Sequence, residues 1–129
     1  KIIDDSNDKV EMFDVFFRYE NERQECLKRL KNDFDDLFVT SSMSNNLEIV
    51  RAGNSKGSTL IEFCNKIGID IKSVTVLGDS RNDISAFETD AKGYAVANAC
   101  DELKNLADKV ICSNDENVMR FMERETVYE

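Results

Sequence analysis

The chain has 129 residues, a formal net charge of −9 and a hydrophobic share of 41%. That share supports a packed core and excludes a disordered chain, and the length fits one compact domain or two small lobes. The acidic balance, with no basic patch, argues against nucleic acid, whose phosphates need Lys and Arg, and no apolar run approaches the ~20 residues of a membrane span.

A soluble chain without a membrane or nucleic-acid partner is therefore expected. The four cysteines, Cys26, Cys64, Cys100 and Cys112, form no CxxC pair, and no histidine exists to complete a zinc site. They read as small buried hydrophobes in a reducing, cytoplasmic setting. The chain opens Lys1-Ile2-Ile3, with neither an initiator Met nor a signal-peptide pattern, and is expected to be a piece of something longer. The acidic residues that follow, 4–8, read as a solvated turn.

In chain order, "MFDVFFRY" (12–19) alternates, which predicts a half-buried strand with Phe13, Val15, Phe17 and Tyr19 on one face. "NERQECLKRLKNDF" (21–34) switches to helical spacing through Leu27, Leu30 and Phe34, with Asn21 and Gln24 as a capping-box-like start. "DLFVTSS" and "NLEIVR" predict two antiparallel strands around the polar hairpin loop "SSMSNN". This β-α-β-β stretch, 1–52, reads as a small lobe of its own.

The pattern changes over 53–129. "SKGSTLIEFCNKIG" (55–68) predicts a helix with Leu60, Ile61, Cys64 and Ile67 on one face and Gly68 just past its end. "SVTVL" (73–77) lacks polar alternation, as a strand covered on both faces does. A helix is expected from about Asn82 with Ile84 and Phe87 inward, then a strand "GYAVA", a helix "DELKNLA" and a strand "KVIC". Ser113 and Glu116 suggest a capping box for a last helix with Val118, Met119 and Met122 as its stripe. Alternating helices and buried strands predict a parallel α/β sheet.

"LGDSRND" (77–83) ends the buried-type strand with a glycine and two aspartates four positions apart. In open α/β sheets ligands bind beyond the carboxyl ends of the strands, so Asp79 should lie at that edge. Asp83, about one helical turn on, can point to the same place. Two carboxylates there suit a hard cation such as magnesium. Equally, Asp79 or Asn82 could cap the helix and Asp83 complement its dipole, so both readings stand on these residues. Calcium loops of the EF-hand type fail: starting at Asp4, position 6 is Lys9, and starting at Asp79, position 3 is Arg81. Lys56, at a predicted helix N-terminus, would add positive charge where free N–H groups favour phosphate.

Lysine at a helix start, then a strand, then Gly-Asp-x-x-Asn-Asp and "VANA…LKNLAD" together resemble the haloacid dehalogenase superfamily, in particular its Cof-type sugar-phosphate phosphatases. The similarity runs over roughly 12–124. It implies the C-terminal half of a Rossmannoid α/β core, a parallel sheet with helices on both faces (53–129), preceded by a β-α-β-β remnant of an α+β cap domain (1–52). It also implies a magnesium-dependent phosphatase of small phosphorylated metabolites. By matching position, Lys56 would steady phosphate and the nucleophilic carboxylate, and Asp79 would coordinate Mg2+. Asp83 would hold magnesium waters or orient the lysine, Asn82 would contact the phosphoryl region, and Asn98 would shape the pocket floor.

The chain departs from the family in one decisive way. The nucleophile motif DxDxT is absent, since "NDFDDLFV" precedes a strand where the motif follows one, and the Thr or Ser phosphate ligand is absent too. Smaller departures are Ala97 in place of glycine and no glycine before Val118. In the family an aspartate attacks phosphorus and water hydrolyses the aspartyl-phosphate. The expectation is therefore an inactive fragment of an active parent, whose missing N-terminal half would be its first partner. The alternative is a non-catalytic binding or interaction module. A receiver-like signalling domain fits less well, because its acidic cluster should come early with a lysine after it.

Overall fold

The computed structural model describes residues 10–127, with side chains up to Arg124; the acidic stretch 4–8 lies outside them. The chain divides into two compact units, the first ending at Ser55 and the second starting at Lys56. Among the described residues no helix is long and apolar enough to cross a membrane.

The first unit runs β1 (Met12–Phe16), α1 (Glu20–Asp33), β2 (Leu37–Thr40) and β3 (Asn46–Arg51). Its sheet is antiparallel in the order β1-β3-β2, so the last two strands form the expected hairpin. The half-buried β1 is not found. Met12, Phe13, Val15 and Phe16 are all exposed, because α1 packs against β2 and β3. Nor do Asn21 and Gln24 begin α1. The helix starts at Glu20, with Tyr19 as an N-cap that makes no side-chain bond. Glu20 instead gathers Arg23 (Nε to Oε2, 2.7 Å; Nη2 to Oε1, 2.6 Å) and Gln24 (2.6 Å), an i,i+3 and i,i+4 cluster that leaves Arg23 buried.

The hairpin loop is organised by Asn46, which is buried. Its Oδ1 accepts from the backbone N–H groups of Ser42 (3.2 Å) and Met43 (3.0 Å), and its Nδ2 donates to Asp14 on β1 (2.9 Å).

The second unit alternates α2 (Lys56–Ile67), β4 (Thr75–Gly78), α3 (Ile84–Phe87), β5 (Lys92–Ala95), α4 (Asp101–Leu106), β6 (Lys109–Val110) and α5 (Val118–Val127). Short 3-10 turns cover Ile71–Ser73 and Arg81–Asp83. The three strands are parallel in the order β4-β5-β6, which is the predicted α/β arrangement. The core is Phe87, Ala95, Val96, Ala99, Leu103 and Ile111. Phe87 packs closely on β5 because Gly93 has no side chain: a Cβ there would sit 2.7 Å from the ring.

Several facial expectations shift. Leu77 and Thr75 on β4 are exposed, so this strand is not covered on both faces. On α2 Cys64 is buried, whereas Ile61 and Ile67 are exposed. Gly68 takes a φ of 74°, as a helix-terminating glycine does. The last helix starts later than expected, at Val118. Glu116 accepts from the Ser113 N–H (3.1 Å), but the Ser113 hydroxyl pairs with Asp115 (3.2 Å), which is half of a capping box. Its inward stripe is Val118, Phe121 and Met122, with Met119 exposed, the i, i+3, i+4 spacing of a helical face. All four cysteines are free, and of these Cys64 alone is buried.

Candidate active site

Parallel strands deliver their following loops to one edge of the sheet. Asp79 follows β4, Asn98 lies in the loop after β5, and Asn114 lies in the loop after β6. Backbone bonds tie the loops together: Val96 N–H to Gly78 O (3.1 Å), Cys100 N–H to Asp79 O (2.9 Å) and Ala97 N–H to Cys112 O (3.1 Å).

The two aspartates do different work. Asp83 is turned inward and is only 6% exposed. Its Oδ2 accepts from the N–H groups of Asp79 (2.9 Å) and Ser80 (3.2 Å), and its Oδ1 accepts from Lys56 Nζ. This inward turn requires Gly78, where a Cβ would lie 2.8 Å from that of Asp83. Asp79 faces out and is exposed.

Lys56 is the first residue of α2, and its side chain is half exposed. It reaches Asp83 because α2 crosses α3 at very short range. A Cβ on Gly57 would lie 2.0 Å from the Ser85 carbonyl oxygen, and the Gly57 N–H donates to Ser85 Oγ (3.2 Å). That N–H is therefore engaged within the protein, and the positive group at this helix start is the lysine ammonium.

Asn82 is half-buried. Ser80 Oγ lies 2.9 Å from Asn82 Oδ1 and 3.1 Å from Asp79 Oδ1; its single proton serves one of them at a time. Asn98 is exposed and pairs with Asn114 (Nδ2 to Oδ1, 2.5 Å), whose Nδ2 lies 3.3 Å from Asp79 Oδ2. Ser80 and Asn114 are site residues beyond those that the sequence motifs mark. The available signal for Asn114 was its place after a third parallel strand. At the rim, Arg81 holds Glu102 (Nε to Oε2, 2.6 Å), and the guanidinium keeps that carboxyl below the ordinary range.

The donor set suits a magnesium ion in a limited way. Among the described residues no three carboxylate, cysteine or histidine side chains gather at one point. Asp79 fits a cation that takes one or two protein carboxylates and keeps its waters. Asp83, with both oxygens already hydrogen-bonded, fits as the residue that holds Lys56.

The sequence matches the family model described as haloacid dehalogenase-like hydrolase over residues 1–122. The chain belongs to this family. It is 29% identical over 119 residues to the phosphatase YwpJ of Bacillus subtilis, covering 92% of this chain and 42% of that protein. It is 35% identical over 105 residues to the 5-amino-6-(5-phospho-D-ribitylamino)uracil phosphatase YwtE of the same organism, covering 81% of this chain and 37% of that one. Among solved structures, a haloacid dehalogenase-like hydrolase from B. subtilis superposes with a TM-score of 0.82 at 28% identity, over 88% of this chain and 40% of that one. The subclass IIB sugar phosphatase BT4131 shares the fold with a TM-score of 0.77. The chain thus spans about two fifths of the length of these relatives.

Proposed function

We propose that this chain is the C-terminal part of a magnesium-dependent phosphatase acting on small phosphorylated, sugar-phosphate-like metabolites in the cytoplasm. The observation that carries the reading is the Lys56–Asp83 pair set beside an outward-facing Asp79 at the edge of the parallel sheet. On this reading 53–129 belongs to the catalytic core and 1–52 to the end of a cap domain. The N-terminal half of the parent supplies the nucleophilic aspartate, whose DxDxT motif these 129 residues do not contain.

The residues then divide the work. Asp83 holds the Lys56 ammonium in place, and Lys56 offsets negative charge on the phosphoryl group and on the attacking carboxylate. Asp79 holds Mg2+, which when bound supplies positive charge to the phosphoryl oxygens. Asn82 and Asn98 offer polar contacts to the phosphate side. Without an attacking carboxylate, the 129 residues alone do not turn over.

Phosphate release from an aryl phosphate with Mg2+ tests this. No release is expected from the isolated chain. Turnover is expected from a protein extended upstream of Lys1, and it should be lost on Asp79→Ala and on Lys56→Ala. Release by the isolated chain that disappears on Asp79→Ala would overturn the half-site reading. An extended protein carrying an upstream DxDxT motif but showing no turnover would overturn the phosphatase reading.

A further inference from the structure

We propose that Asn114 is a positioning residue that sets the side-chain rotamer of Asp79, with Asn98 as its clamp; this rests on the reading of Asp79 as a magnesium carboxylate. The argument starts from a backbone donor. The Asn114 N–H donates to Asn98 Oδ1 (3.1 Å), and a backbone N–H cannot be flipped. Asn98 must then present its Nδ2 to Asn114 Oδ1 (2.5 Å). With its oxygen so engaged, Asn114 can turn only its Nδ2 towards Asp79 Oδ2, 3.3 Å away. Each amide orientation follows from the one before, and the chain of bonds ends with a donor aimed at a carboxylate.

Among the described residues that donor has no second acceptor. Ser80, which also reaches the Asp79 carboxylate, has one proton and a nearer acceptor in Asn82. An exposed aspartate otherwise samples several staggered rotamers, and fixing it beforehand removes that cost from metal binding. Hydrogen-bonded partners of a ligating carboxylate are worth 10–100-fold in metal affinity, and one exposed bond of this length is expected at about tenfold.

The test measures Asp79 directly in the full 129-residue chain, by three-bond couplings to its Cγ, together with a Mg2+ titration followed by amide shifts. One dominant Asp79 rotamer is expected in the unsubstituted chain, and averaging in Asn114→Ala. Asn114→Asp should also disturb the rotamer. It keeps an acceptor for Asn98 but offers Asp79 a like charge, so a purely structural loop role would leave the couplings unmoved there. Asn98→Ala should give an intermediate result. The apparent Mg2+ dissociation constant should rise about tenfold in Asn114→Ala at an unchanged melting temperature. Couplings that stay the same in both Asn114 variants overturn the proposal, whatever the metal does. Mg2+-induced shifts that survive Asp79→Asn overturn the metal reading instead, and the couplings still decide the role of Asn114.

Discussion

The two units are built on opposite interiors. In the second, among the described residues, nine apolar side chains are buried, Cys64, Ala86, Phe87, Ala91, Ala95, Val96, Ala99, Leu103 and Ile111, against one buried charged residue, Asp83. In the first, among the described residues, the buried apolar side chain is Leu47, and the buried polar ones are Arg23, Ser41 and Asn46. Apolar burial is the main favourable term in folding, while a hydrogen bond contributes only about 1 kcal/mol net. The parallel unit is therefore stabilised by area. The antiparallel unit is specified by bonds that are costly to leave unmade. The same contrast locates the site, since Asp83 is the one buried charge in the well-packed unit and it is fully bonded.

Four substitutions would break or sharpen this contrast, and residue-resolved hydrogen exchange with thermal melts reads them all. Leu103→Ala, at a fully buried position, should cost about 2–5 kcal/mol, with lost protection concentrated in β4, β5 and α4. An equal loss in β3 would mean that the two interiors do not differ in this way. Gly57→Ala should cost about 1–3 kcal/mol through overpacking against the Ser85 carbonyl. It should also loosen the Lys56–Asp83 pair, visible as a change in the Lys56 ammonium signal; an unchanged melt would show that α2 can retreat freely.

Asn46→Ala should cost about 2 kcal/mol by stranding the Ser42 and Met43 N–H groups. Its effect should be confined to the first unit, and loss of protection around Phe87 would contradict that. The smallest effect belongs to the rim. Arg81 lowers the Glu102 carboxyl below its ordinary value, so this pair stabilises above the unfolded carboxyl's pKa. The contribution fades as pH falls through the lowered one. Because both side chains are exposed, Glu102→Gln should barely move the melt at neutral pH. That small loss should vanish as the pH falls through the carboxyl range, leaving a slightly flatter acid limb, and a large neutral-pH shift would show the rim to be structural.

The legible and illegible parts of this protein divide by range. The β-α-β-β order, the alternation of helices with parallel strands and the Gly68 stop all follow from periods of 2 and 3.6 residues and from local turn chemistry. Which faces are covered does not. Phe13 and Val15 alternate as a buried strand would, yet α1 lies on β2 and β3. Met119 adjoins Val118 in the expected apolar stripe, yet Phe121 takes the inward place. Covering is decided by which neighbouring element a face meets in three dimensions, and the periodicity of one element does not name that neighbour.

The candidate site divides the same way. The sequence by itself placed Asp79 and Asp83 one turn apart after a strand ending in glycine, which suits a cation site or a helix cap equally, and the family resemblance joined Lys56 and Asn82 to them. The tertiary structure alone decided that the aspartates part company, one inward on Lys56 and one outward. It also decided that Asn98 and Asn114, on two other loops, close on the outward one. The physical reason is that hydrogen-bond direction depends on which backbone N–H groups and amides arrive nearby. Their arrival is set by the close crossing of α2 over α3 at Gly57 and by the parallel stacking of β4, β5 and β6.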